Sequence, residues 1–153
     1  MNLHERLAAL HLALPAPPEP VAAYVPSVRV GNLIYVSGQL PLVQGALLAT
    51  GPVPSAVTVA QAQQAARQCA LNALAIVDRD LAGRWEQLVR IVRLGVFVAS
   101  DVTFTQQPQV ANGASELMQQ LFGEAGRHVR AAVGVNVLPL GAPVELEMVV
   151  AVE

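Results

Sequence analysis

The sequence predicts an α+β domain in which a mixed β-sheet carries two helices on one face, in the order β-β-(β)-α-β-α-β-β, behind a short N-terminal helix. Three observations support this: a hairpin signal at 28–36, a run of helix formers at 59–82, and two strands joined by a short turn at 130–150. Because each long helix connects two strands by a crossover, both helices are expected on one face. The strands are apolar on both sides, so we expect another subunit to cover the other face.

The N-terminal segment is predicted to be an appendage and not a second domain. Leucines recur at helical spacing from Leu3 and predict a short amphipathic helix over Leu3–Leu12. The proline-rich run at 15–20 ends this helix and is expected to form a stiff, extended connector. We therefore predict an extension at 1–20 and a single domain at 21–153.

The first strands of the sheet are predicted to form a hairpin. Two β-rich runs, Val28–Val30 and Leu33–Val36, flank the turn signal at 31–32. The segment Ser37–Pro41 is expected to break the second strand, and a short third strand is expected at Ala46–Thr50.

Two helices are predicted in the rest of the chain. Thr58 suits an N-cap, strong helix formers fill 59–82, and Gly83 is the expected terminator. A second helix is predicted to begin near Pro108 and to extend to Phe122.

A long strand, Leu88–Val98, is predicted between these helices. Arg90 and Arg93 do not fit strict alternation in it, which indicates either a bulge or a solvated face. Two further strands, at 130–139 and 144–150, complete the predicted sheet.

Composition excludes several classes of function. Apolar residues make up 54% of the 153 residues and charged residues only 13%, so part of the surface is expected to be buried in a homo-oligomer. The net charge of −2 argues against a nucleic-acid partner. All nine basic residues are arginine, which excludes a lysine nucleophile or Schiff base.

Few other residues carry reactive chemistry. Cys69 is the single cysteine and lies in an apolar helical setting typical of a buried small hydrophobe. The three histidines lack metal-ligand spacing, and neither a metal nor a cofactor is expected. No apolar run is long enough to span a bilayer and no signal peptide is recognised, so no membrane partner is expected and the cytoplasm is the expected compartment.

Three charged residues near the C-terminus are the most informative. Glu145 and Glu147 are two apart on one predicted strand and therefore point the same way, while Arg130 opens the strand before. Carboxylates in so apolar a strand are costly to bury without a cationic partner. Arg130 therefore either forms a structural salt bridge with one of them or binds a small anionic ligand. His128 shares the strand parity of Arg130, but is expected to face solvent.

Two separated patterns give the chain a family resemblance. The first is Tyr24-Val25 followed by 31–41, and the second is 130–133 with Leu138-Pro139 and 144–147. Together they resemble the Rid (YjgF-type) family, which also carries the label endoribonuclease L-PSP, over 21–153. The N-terminal extension and the triplet at 112–114 resemble a less characterised subgroup.

The resemblance implies a chorismate mutase-like fold and a homotrimer whose sites lie in clefts between subunits. It implies that Arg130 binds the carboxylate of a small metabolite, for which a guanidinium has the matching planar fork of donors. It also implies that Glu145 positions a water molecule, whereas Glu147 is expected to be structural. Tyr24 is expected to close the cleft. The other expected substrate contacts are Ser37, Gly38 and Asn112.

The function that follows from the resemblance is hydrolytic deamination of reactive 2-imino or 2-enamino acids to 2-oxoacids and ammonia. The alternative is a trimer that binds a small carboxylic acid without chemistry, because Ala131 and Ala132 replace polar side chains of many deaminases. Ribonuclease activity has little support, since the sequence has no basic stripe and no aromatic platform for bases.

Overall fold

A five-stranded mixed sheet forms the centre of the molecule. The computed structural model describes residues 2–19 and 22–153, so the boundary expected between residues 20 and 21 lies outside them. The strands of this sheet are β1 (Ser27–Val30), β2 (Leu33–Gln39), β5 (Leu88–Ala99), β6 (Val129–Val135) and β7 (Val144–Val152). Their order in the sheet is β1-β2-β7-β5-β6, with β5 and β6 parallel and the other neighbours antiparallel.

Helices α2 (Val59–Leu81) and α3 (Gln107–Phe122) pack together on one face of this sheet, which we call the helix face. Leu94 of β5 and Leu146 and Met148 of β7 are fully buried beneath them. This arrangement confirms the predicted fold class, including both helices on one face. We call the opposite side of the sheet the open face.

The ends of α2 lie where the sequence predicts them. The Thr58 side chain accepts a hydrogen bond from the Gln61 amide at 3.1 Å, and the Gln61 side chain accepts one from the Thr58 amide at 2.9 Å. At the other end Ala82 and Gly83 take φ values of +50° and +75°, which stop the helix. Cys69 on this helix is fully buried, as expected, and burial raises the pKa of its thiol well above the usual range.

Two predictions about the strands are wrong. Strand β2 does not break at Ser37 but continues to Gln39, because a bulge between Val36 and Gln39 absorbs the irregular segment. The expected third strand at Ala46–Thr50 is only two residues long, Ala46–Leu47 (β4). It pairs with β3 (Leu42–Val43) in a separate hairpin outside the main sheet.

The irregularity expected in the long central strand is confirmed. The pairing of β5 with β7 shifts register between Leu88 and Arg90 and again between Ile91 and Arg93. The two shifts account for arginines that do not fit strict alternation.

The N-terminal helix α1 (Leu3–Ala9) is shorter than predicted, since it ends before His11, which takes φ +57°. Leu3 and Leu7 are buried in the main core, and the Arg6 guanidinium donates to the Leu121 carbonyl at the end of α3. Carbonyls in the last turn of a helix generally lack an intrahelical donor, and this contact ties α1 to the end of α3.

No described helix combines the length and the apolar character that crossing a membrane requires.

Candidate functional site

Arg130 lies on β6 and points to the helix face. It pairs with Leu94, which in turn pairs with Met148, and directly paired residues share a face. From there its Nη1 donates to Asn112 Oδ1 at 2.8 Å and to Ser115 Oγ at 3.1 Å. Asn112 and Ser115 are three residues apart on α3 and so lie on one side of the helix.

The guanidinium of Arg130 is exposed at a polar cavity of about 410 Å³. Within the described ranges no carboxylate lies at salt-bridge distance from it, which excludes the first of the two alternatives, a structural salt bridge with Glu145 or Glu147 in the same chain. The arrangement instead leaves Arg130 available to a ligand. The cavity is lined by Asn112, Ser115, Glu116, Gln119, Arg127, His128 and Arg130.

His128 belongs to the same cluster. The expectation that it faces solvent is wrong. Its ring is half-buried, with Nδ1 at 2.7 Å from the Gly126 carbonyl oxygen and Nε2 at 3.0 Å from Ser115 Oγ. Burial lowers the pKa of His128, and the nearby charge of Arg130 lowers it further, although the bond to Gly126 acts in the opposite direction. The neutral ring is therefore favoured.

Glu147 lies on the open face, where β7 pairs it with Gly95. The Arg93 Nη1 donates to its Oε1 at 2.6 Å, which agrees with the structural role expected for this carboxylate. Gly95 leaves the room for this pair, because a Cβ there would lie 2.7 Å from the same oxygen.

Glu145 shares the open face but makes no hydrogen bond to any side chain or amide in the described part of the chain. It lies against Gly38, where an added Cβ would come within 2.1 Å of Glu145 Oε1. Partial burial raises the pKa of Glu145, and the neighbouring charge of Glu147 adds to that effect. The carboxyl group of Glu145 therefore keeps its proton to a higher pH than that of an ordinary glutamate, which suits a group that accepts and returns a proton.

Tyr24 and Ser37 border the open face beside Glu147. Both line a cavity of about 610 Å³ that also includes Arg93 and Glu147. Ser37 Oγ donates to the Val25 carbonyl at 2.7 Å, and Tyr24 is 54% exposed. A second cavity of about 390 Å³ brings Tyr24 together with Gly38.

The predicted site residues therefore form two groups on opposite faces of the sheet. Arg130 and Asn112 lie on the helix face, whereas Glu145 lies on the open face with the bulge that contains Gly38. Sequence reasoning missed Ser115. Its spacing of three residues from Asn112 on a helix was the signal that could have found it.

It also missed Arg93 as the partner of Glu147. These residues are 54 apart in the chain, and only the pairing of β5 with β7 brings them together.

Among the described residues no group of three or more His, Cys, Asp or Glu side chains is arranged to hold a metal ion.

Comparison with known proteins gives consistent matches over nearly the whole chain. The family model described as "YjgF/chorismate mutase-like, putative endoribonuclease" matches residues 4–151. The chain is 44% identical over 145 residues to Protein TCP17 of Trypanosoma cruzi, which covers 94% of this chain and 90% of that protein. It is 29% identical over 143 residues to a Dermatophagoides farinae protein named 2-iminobutanoate/2-iminopropanoate deaminase, with 93% and 95% coverage.

A solved structure shows the same architecture. The crystal structure of an Agrobacterium tumefaciens protein of unknown function superposes with a TM-score of 0.93 at 45% identity, covering 99% of this chain and 92% of that chain. The fold, the family model and the relatives agree, and the chain belongs to the YjgF/chorismate mutase-like family.

Proposed function

We propose that this protein hydrolyses reactive 2-imino and 2-enamino acids to 2-oxoacids and ammonia, at clefts between the subunits of a homotrimer. The observation that carries the proposal is the exposed guanidinium of Arg130, beside a cavity of about 410 Å³. It donates hydrogen bonds to Asn112 and Ser115 of α3, which hold it in place. The relative named as an imine deaminase, at 29% identity, supports this reaction class.

Arg130 suits the recognition step. Two of its nitrogens can donate parallel hydrogen bonds to the two oxygens of a carboxylate. The opposite charges of the guanidinium and the carboxylate make these bonds short and strong. The contacts to Asn112 and Ser115 use Nη1, so Nη2 and Nε, which make no hydrogen bond within the described residues, can serve a ligand. Such a fixed carboxylate places the adjacent imine carbon at a defined point of the cleft.

Glu145 suits the hydrolytic step. In this mechanism an enamine first tautomerises to the imine, and a water oxygen attacks the carbon of the protonated imine while Glu145 accepts one water proton, which gives a carbinolamine. Glu145 then transfers this proton to the nitrogen. The carbon–nitrogen bond breaks, ammonia leaves, and Glu145 accepts the hydroxyl proton as the carbonyl group of the 2-oxoacid forms. Its raised pKa favours both halves of this transfer near neutral pH.

The two-sided placement of these residues is the reason to propose an inter-subunit site. Within one chain Arg130 and Glu145 point away from each other across the sheet. A cleft that contains both must combine the helix-face group of one copy with the open-face group of another. A closed ring of heterologous contacts gives three such clefts in a trimer.

Turnover of an imine tests the proposal. An amino-acid oxidase can generate the imine in situ while the release of 2-oxoacid is followed against the uncatalysed rate. Arg130→Ala should lower the rate to the uncatalysed background. Arg130→Lys, which retains the charge and loses the planar fork, should restore little of it. An unchanged rate in Arg130→Ala would remove the proposal.

A second candidate is a trimer that binds a small carboxylic acid without turnover. It is favoured by the surroundings of Arg130 on β6, where Ala131 and Ala132 provide no hydroxyl or thiol. Under this alternative 2-oxobutanoate binds in an Arg130-dependent manner, but no imine hydrolysis above background is measured.

A further inference from the structure

We propose that Ser115 and His128 are positioning residues that hold the Arg130 guanidinium through a one-directional hydrogen-bond relay. The inference rests on the proposed function, in which Arg130 receives the carboxylate of the ligand. Neither residue belongs to the group expected to touch substrate, yet both line the same cavity as Arg130.

The direction of the relay follows from its last member. The Gly126 carbonyl can only accept, so the 2.7 Å contact requires a proton on His128 Nδ1. In the neutral ring Nε2 then carries a lone pair and accepts the Ser115 hydroxyl proton across 3.0 Å. The Ser115 oxygen is left as an acceptor, and Arg130 Nη1 donates to it at 3.1 Å. Every donor in the series thus points from Arg130 towards Gly126.

This order matters because Arg130 is a long side chain on an edge strand. A free arginine samples many rotamers, and ordering it on ligand binding costs conformational entropy. The relay and Asn112 Oδ1 meet at the same nitrogen and orient the guanidinium before the ligand arrives. Loss of the relay leaves the Asn112 bond in place, so binding should weaken but not disappear.

The neutral state of His128 supports the same direction. Its half-buried ring lies beside the Arg130 charge, and both burial and that charge lower the pKa of His128. A protonated His128 would donate from both nitrogens, so the Ser115 oxygen would accept from Nε2 and the Ser115 hydroxyl could no longer donate to it. It would also place a second positive charge beside the guanidinium.

The first test needs no ligand. Nitrogen NMR of the full-length protein at pH 7.5 should show His128 protonated at Nδ1 and unprotonated at Nε2. The opposite tautomer, or a ring that exchanges between the two, would overturn the relay. The mutant His128→Gln assigns the resonances.

The second test is calorimetric binding of 2-oxobutanoate. Ser115→Ala should weaken binding about fivefold, the equivalent of one net hydrogen bond. The matched control Ser115→Thr keeps the hydroxyl and should stay within about twofold of wild type. His128→Phe removes the acceptor and should weaken binding as Ser115→Ala does, whereas His128→Gln retains an acceptor oxygen and should restore part of the affinity.

A double mutant separates a relay from two independent effects. Because Ser115 and His128 act through one series of bonds, Ser115→Ala with His128→Phe should be no weaker than the worse single mutant. The relay would be contradicted if the losses of affinity in the two single mutants multiplied in the double mutant. It would also be contradicted if Ser115→Thr, which keeps the hydroxyl, bound as weakly as Ser115→Ala. Melting temperatures of all variants identify any loss that comes from unfolding.

Failure of the inference and failure of the proposed function are distinguishable. If Arg130→Ala abolishes binding while the Ser115 and His128 mutants bind like wild type, the relay is wrong and the function of Arg130 stands. If wild type and Arg130→Ala bind 2-oxobutanoate equally, or neither binds it, the proposed function itself is wrong, and the relay loses its role.

Discussion

Arg130 and Glu145 lie on opposite faces of one β-sheet. Arg130 pairs with Leu94, which is buried under the helices, whereas Glu145 pairs with Phe97 on the open face. The pairing that the sequence suggested between neighbouring strands is therefore impossible within one chain. An active site that uses both groups has to be built from two copies.

Gly38→Ala should disable Glu145 with little loss of stability. A methyl group at Gly38 would lie 2.1 Å from Glu145 Oε1, and the end of this side chain can move away. We expect imine turnover to fall about tenfold or more, since misplacement of a catalytic group by an ångström is costly, while the melting temperature changes little.

The control for Gly38→Ala is the same change in a Glu145→Ala background. The space is free there, so Gly38→Ala should leave the binding of 2-oxobutanoate and the melting temperature as they are in Glu145→Ala alone. A further loss of either would show that Gly38 acts on something other than Glu145.

Glu145→Gln should stabilise the protein at neutral pH. Because the pKa of Glu145 is raised on folding, the folded state binds its proton more tightly than the unfolded chain. That contribution is fully present below the unfolded pKa, at about pH 4, and is lost as the pH rises through the folded pKa. The glutamine variant carries no such loss, so its gain in urea-unfolding free energy should be present at pH 7 and should disappear near pH 4. A constant difference across this range would contradict the raised pKa.

His128→Gln should change the stability profile in the opposite direction. The pKa of His128 is lowered on folding, so the unfolded chain binds its proton more tightly. Wild type should therefore lose stability as the pH falls below about 6.5, the ordinary histidine value, towards the lower pKa of the folded state. His128→Gln should lack this step, and the carboxylates common to both proteins cancel in the difference. Parallel profiles between pH 7.5 and 5.5 would exclude the lowered pKa.

Much of the fold could be predicted from local patterns. The hairpin at 27–39, the Thr58 cap and the long helix after it each have a local signal, and the structure has each of them. The separate hairpin of β3 and β4 could not be predicted, because a two-residue strand is too short to show a period. The bulge after Val36 could not be distinguished from a strand end, because a glycine can either bend a strand or terminate it.

The partners of the charged residues could not be predicted. Arg130 was the nearest cation in the sequence to Glu147, but the sheet order places β5 next to β7 and brings Arg93 to that carboxylate. His128 was expected in solvent because strand parity does not show that α3 covers β6. Contacts between distant elements depend on topology, which a single sequence leaves open.

Mixed assemblies of two inactive variants test the shared site most directly. Arg130→Ala and Glu145→Gln are expressed separately and then together, with different tags, and the assembly that carries both tags is isolated. Each variant alone should be inactive in imine hydrolysis. In a trimer that contains both variants, one of the three clefts joins an unaltered Arg130 to an unaltered Glu145, so the isolated mixed assembly should have about a third of the wild-type activity. A purified mixed assembly without activity would contradict a site shared between subunits.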